Sequence, residues 1–159
     1  MALKGDRYEA VTLIDFFMDT VAERGGPVCL ETAGSGAALD QADAQVDYLA
    51  NPSGYAPIGV LLNDVVNIDL TRQQKNFHKD EMQVQGKVCV LAEGWCLTNR
   101  ITPGVTPTRG QLAYVGESGY FNVTAPSDDS GMANMAVGRF LSTKDEDGYA
   151  KVYVRMPGV

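Results

Sequence analysis

The sequence predicts a mainly β protein, and three observations predict it. Short apolar runs rich in Val and aromatics alternate with turn residues along the chain, which is the pattern of strands. Of 159 residues, 17 are glycine, well above the usual ~7%. Charged residues make up 21%, below the usual ~25%. Many strands and few helical stretches imply a sandwich or barrel. The expected architecture is a small barrel or sandwich in one domain. A chain of this length buries about 70% of its unfolded surface, so it needs no staples.

Residues 1–24 read as an N-terminal arm. The start, Met1-Ala2-Leu3-Lys4-Gly5-Asp6-Arg7, turns acidic before an apolar stretch develops, unlike a secretory signal. From Glu9 to Arg24 two readings stand side by side. Thr12, Asp15, Asp19 and Glu23 fall at helical spacing, with Gly25-Gly26 as a C-cap. Val11-Thr12-Leu13-Ile14 and Phe16-Phe17 favour a strand instead. The arm is therefore extended or partly helical.

Residues 25–159 read as the body. Val28-Cys29-Leu30, Ile58-Gly59-Val60-Leu61-Leu62 and Lys87-Val88-Cys89-Val90-Leu91 are its first strands, the last continuing as Trp95-Cys96-Leu97-Thr98. Asp40 to Tyr48 carries a weak helical pattern and reads as a loop. Gln111-Leu112-Ala113-Tyr114-Val115, Tyr120-Phe121-Asn122-Val123 and Ala150 to Met156 complete the set.

A weak repeat runs through these strands. Ile58-Gly59-Val60-Leu61-Leu62 resembles Val137-Gly138-Arg139-Phe140-Leu141. Each is preceded by a strand after glycine and followed by a Lys-Val-x-Val run, at Lys87 and Lys151. The reading is two similar three-strand units, with mid-strand glycines at bulges or close approaches. Gly59 and Val88 stand 29 positions apart and Gly138 and Val152 only 14, so the first unit has 15 more residues. A polar stretch of that size, 67–81, holds Phe77 and the single histidine, His78. An insertion of this length usually has a role or is disordered, and it reads either as a docking loop or as an ordinary solvated hairpin loop.

The residues offer little chemistry. One histidine cannot build a two-His zinc site or a facial triad. Cys29, Cys89 and Cys96 lack CxxC spacing and read as reduced thiols filling core space. Ser118 misses the G-x-S-x-G pattern. Gly34-Ser35-Gly36 is not followed by the Lys of a phosphate loop. Asp128-Asp129-Ser130-Gly131 and Asp145-Glu146-Asp147-Gly148 read as turns. The net charge of −7 opposes nucleic-acid binding. No apolar run is long enough to span a membrane. The expectation is a non-enzyme without metal or cofactor.

The order of the pieces resembles a family of tailed-phage structural proteins. It is carried by Gly25-Gly26-Pro27-Val28, Ala33-Gly34-Ser35-Gly36-Ala37-Ala38-Leu39-Asp40-Gln41, Asn51-Pro52-Ser53-Gly54 and Pro57 to Val66. Asp69-Leu70-Thr71-Arg72-Gln73, His78-Lys79-Asp80-Glu81, Val137 to Leu141 and Lys144 to Tyr149 continue it. These are head decoration proteins, also called cement or capsid-stabilising proteins. A looser similarity, including the Ile101-Thr102-Pro103-Gly104 turn, extends to the lambda-like head decoration family.

The resemblance implies a small β-barrel or β-tulip body without catalytic residues, in a virion protein made in the host cytoplasm. It implies binding to the outside of the mature bacteriophage head, as a homotrimer at threefold or quasi-threefold positions. There the protein would clamp adjacent major capsid subunits. Capsid contact is assigned to the leader, with Lys4, Arg7 and Tyr8, and to the insertion, with Arg72, Gln73, Lys75, Phe77 and His78. The leader would span about 26 Å if extended. Exposed Tyr8, Tyr48, Tyr55 or Phe77 would suit subunit interfaces. Two other readings are a carbohydrate-binding or host-attachment module of the virion and a small β-barrel hydrolase. Trp95 is the aromatic a sugar platform would use, although its place in an alternating strand points to the core. The hydrolase would need paired carboxylates in a pocket.

Overall fold

A computed structural model describes residues 1–31, 44–67, 81–126 and 136–156. Its strands are β1 (Tyr8–Met18), β2 (Pro27–Leu30), β3 (Val46–Asp47), β4 (Pro57–Leu61), β5 (Asp64–Val66) and β6 (Glu81–Gln83). They continue with β7 (Gly86–Thr98), β8 (Leu112–Val115), β9 (Phe121–Asn122), β10 (Gly138–Phe140) and β11 (Ala150–Arg155). One 3-10 turn, Glu117–Gly119, is the helical element among the described residues. The protein is mainly β, and its main sheet curls into a half-barrel.

β7 organises the sheet. The strand order is β3-β2-β4-β7-β11-β10-β8-β9, with β1 also paired to β7. Leu91 pairs with both Thr12 of β1 and Val60 of β4, and Trp95 with both Tyr8 of β1 and Tyr153 of β11. A strand has two edges, so β1 occupies one. β4 and β11 share the other, against the first and second halves of β7. All pairs in this sheet are antiparallel. Because β4 and β11 abut the same edge, the sheet parts between them and opens into a half-barrel.

Two apolar cores follow from this split. Leu3, Cys29, Val60, Leu91, Cys96, Phe121, Phe140, Val152 and Val154 form the first. Met18, Val28, Val46, Leu61, Val65, Val88 and Val90 form the second. Alternate residues of β2, β4 and β7 serve different cores: Val28 faces one and Cys29 the other, Leu61 one and Val60 the other. Both faces of this part of the sheet are therefore buried, which explains its unbroken apolar runs.

Gly59, in the middle of β4, and Gly138, the first residue of β10, mark close approaches. A Cβ on Gly59 would lie 2.2 Å from the Leu91 carbonyl oxygen, and one on Gly138 1.9 Å from that of Tyr153. Val28 stands opposite Gly59 in β2–β4, and Ala113 opposite Gly138 in β8–β10.

Residues Tyr8–Met18 form a strand, so the helical alternative for this stretch gives way to the extended one. β1 lies along β7 from Trp95 to Gly86. Within the weakly helical stretch up to Tyr48, Val46 and Asp47 form β3 against β2 rather than a loop. β5 and β6 pair in parallel, Asp64 with Glu81 and Val66 with Gln83. A parallel pair needs a connection of about a dozen residues or more, which accounts for the length of chain between them. Asp145 turns the chain between β10 and β11: its carboxylate accepts from the Asp147 and Tyr149 backbone N–H groups at 3.0 and 2.8 Å.

Candidate interaction surface

The leader is fastened to the body. Leu3 is fully buried. Lys4 N–H donates to the Leu97 carbonyl at 2.9 Å, and Asn99 N–H to that of Ala2 at 3.0 Å. Ala2 N–H donates to the Glu23 carboxylate at 2.7 Å. The Tyr149 hydroxyl donates to the Met1 carbonyl.

The three contact candidates of the leader then differ. Lys4 pairs with Asp145 at 3.5 Å and lies 4.2 Å from the centroid of the Tyr149 ring. Arg7 pairs with Glu9. Tyr8 is 56% exposed, on the same strand as exposed Val11 and Ile14. Tyr8 is thus the candidate whose side chain is open, and it joins an apolar series that the motifs did not single out. Arg72, Gln73, Lys75, Phe77 and His78 lie outside the described residues.

A second feature is an aromatic row on the outer face. Tyr8 stands opposite Trp95, Trp95 opposite Tyr153, Tyr153 opposite Arg139 and Arg139 opposite Leu112. Directly opposed residues share a face. Their neighbours Cys96, Val152, Val154, Phe140 and Ala113 fill the first core, so this row points outward. The expectation that Trp95 packs in the core is corrected here: it is half-buried on the outside, with Lys151 Nζ 3.6 Å from its ring centroid. The alternation was right, but the core takes the other parity.

Tyr48 and Tyr55 are not open as expected. Tyr55 packs on the first core. The Tyr48 hydroxyl accepts from Gly26 N–H at 3.0 Å and donates to the Glu23 carbonyl at 2.8 Å. Burial, partly offset by Arg100, raises its pKa above the usual phenol range. The Arg100 guanidinium lies 4.7 Å from the Tyr48 ring centroid and 4.5 Å from that of Tyr120. Its Nε and Nη2 donate to the Gly119 and Ser118 carbonyls at 3.1 and 2.8 Å. Ser118 holds a left-handed φ of 54°, and this clamp fixes it.

A cleft of about 510 Å³ opens beside the clamp, lined by Asn51, Thr102, Glu117, Tyr120 and Asn122 among others. Its polar lining is largely spent locally. The Asn122 side-chain oxygen accepts from Val123 N–H at 2.8 Å, and the Thr102 hydroxyl donates to the Phe121 carbonyl at 3.0 Å. Asn51 caps Ser53 N–H at 3.2 Å. Among the described residues the cleft is lined by one carboxylate, Glu117, where a glycosidase uses a pair.

The cysteines are free. Burial pushes the Cys29 and Cys96 thiols up to about 12, and Cys89, less buried, is raised as well. High pKa values make poor nucleophiles at neutral pH. Asp19, Glu31 and Asp47 bring carboxylates within 4.8 Å of one another. Burial first, then Asp19 and Asp47, raise the Glu31 pKa. Among the described residues no helix is long and apolar enough to cross a membrane.

No protein-family model matches the chain, and no curated protein matches it either.

Proposed function

We propose that the chain is a non-enzymatic capsid decoration protein of a bacteriophage. In this reading it binds the outer surface of the mature head and stabilises it by clamping adjacent major capsid subunits. It acts as a homotrimer at threefold or quasi-threefold positions of the virion. Its body is read as two similar three-strand units, β2-β4-β7 and β8-β10-β11. The matching positions of Gly59 and Gly138, each in the middle strand of its unit, support that reading.

The observation that carries the proposal is β1. It is an 11-residue strand whose residues Tyr8 to Thr12 are all exposed, as is Ile14. An exposed strand with apolar side chains is a docking element rather than a stable solvent surface. A clamp needs buried area and repeated copies, not chemistry. Binding the expanded lattice alone would stabilise that state by mass action.

The host-attachment or carbohydrate-binding alternative rests on the outward Trp95. Lys151 lies over that ring, so the platform is already engaged, and the decoration reading is favoured. Imaging undecorated expanded capsids mixed with the protein tests the choice. The proposal expects density at threefold or quasi-threefold positions. Bare capsids, or density on tails alone, would overturn it.

A further inference from the structure

The outer face around Trp95 differs in charge from the rest of the molecule. Beside Tyr8, which the proposed function leaves to the capsid, its outward row holds Trp95, Tyr153, Arg139 and Leu112. At strand spacings of ~4.8 Å, these four strands span roughly 14 Å. The flanking outward pairs are Leu97 with Lys151 and Glu93 with Arg155. Lys151, Arg139 and Arg155 thus face one carboxylate, Glu93, on a chain whose net charge is −7. Trp, Tyr and Arg are the residues that dominate protein–protein hot spots. A flat face of this composition suits a protein partner with negative charge.

The chain itself carries such a surface. Asp19, Glu31 and Asp47 cluster within 4.8 Å beside β2 and β3, at the far end of the strand order from β8 and β10. Among the described residues no Lys or Arg pairs with these three carboxylates. Burial first, and then crowding by Asp19 and Asp47, make Glu31 hold its proton more tightly than an ordinary carboxyl. Cations from outside would relieve that crowding.

We infer that the aromatic and basic face of one copy docks on the acidic β2–β3 end of a second copy. The two patches are different, so the contact is heterologous. Each copy then keeps one patch of each kind, and such contacts close into a ring when the rotation permits. The inference names the contact of the homotrimer proposed above and rests on that part of the reading. Aromatic rings supply the buried area. The charges supply orientation and a salt dependence.

Sedimentation velocity of the full chain tests it. The wild type should self-associate, with affinity falling about tenfold or more as salt rises from low to physiological levels. Arg139→Gln/Lys151→Gln should be monomeric, and so should Asp19→Asn/Glu31→Gln. Mixed one to one, these two variants should form a dimer that grows no further, because each retains only one intact patch. Circular dichroism melts check that both variants fold. Trp95→Ser is a second, charge-neutral variant of the same face and should also weaken association. A wild type that stays monomeric to about 100 µM overturns the contact. So do variants that associate like wild type, or a mixture that stays monomeric. Capsid co-sedimentation is read separately: a monomeric wild type that still binds capsids would sink this contact and leave the decoration reading standing.

Discussion

Tyr8 on β1 stands directly opposite Trp95 on β7. That pairing ties the exposed first strand to the aromatic row, and the β1–β7 register then shifts at three points between Glu9 and Phe16. It also separates two parts of the N-terminal region. Residues before Tyr8 are anchored by buried Leu3, while Tyr8, Val11 and Ile14 face outward. Removing the whole leader would therefore confound folding with binding. Leu3→Ala alone should cost about 2–5 kcal/mol, the range for a buried leucine. Urea titration measures it.

The Arg100 clamp gives a second prediction. Arg100→Ala removes two carbonyl hydrogen bonds and two ring contacts. At ~1 kcal/mol for a typical hydrogen bond and ~0.5–1 for each cation–π contact, the loss should be about 3–4 kcal/mol. Arg100→Lys should recover little, since an ammonium lacks the planar fork. Equal stability of Arg100→Lys and wild type in chemical denaturation would refute the clamp.

Ser118 should behave in the opposite sense. Its left-handed φ costs a non-glycine residue about 1 kcal/mol or more. Ser118→Gly relieves this and gives some of it back as unfolded-state entropy. The melting temperature should rise by about 1–2 °C.

The thiols predict an alkaline instability. The folded-state pKa values of Cys29 and Cys96 are raised to about 12 from 9.0. Between those values the unfolded chain has released the proton and the folded chain has kept it. Stability is thus fully present below pH 9 and falls as pH rises toward 12, by up to ~1.4 kcal/mol per pH unit for each thiol. Cys96→Val should flatten that slope. Unfolding free energies of both chains at pH 8, 9 and 10 measure it; parallel curves would refute it.

The strands were legible because alternation and turn glycines are local signals. Gly59 and Gly138 showed up as mid-strand glycines, and each sits where a neighbouring carbonyl excludes a Cβ. Trp95 was not legible, because alternation gives two faces without saying which one meets the core. The packing of Phe140, Val152 and Val154 decides that, and it comes from strands far along the chain. β1 was ambiguous for a related reason. Its apolar residues fit either period, and only the pairing with β7 selects the strand. The Arg100 clamp joins Tyr48, Ser118 and Tyr120, and no spacing in the sequence announces such a meeting.

The central claim is that β1 presents a capsid-binding surface. The direct measurement is co-sedimentation of the protein with undecorated expanded capsids, comparing wild type with Tyr8→Ser/Val11→Ser/Ile14→Ser. These side chains are exposed, so each change should alter stability by no more than ~0.5 kcal/mol. The wild type should bind saturably, and the variant at least tenfold more weakly at a nearly unchanged melting temperature. Wild type that leaves the capsids bare, or a folded variant that binds as well as wild type, would contradict it.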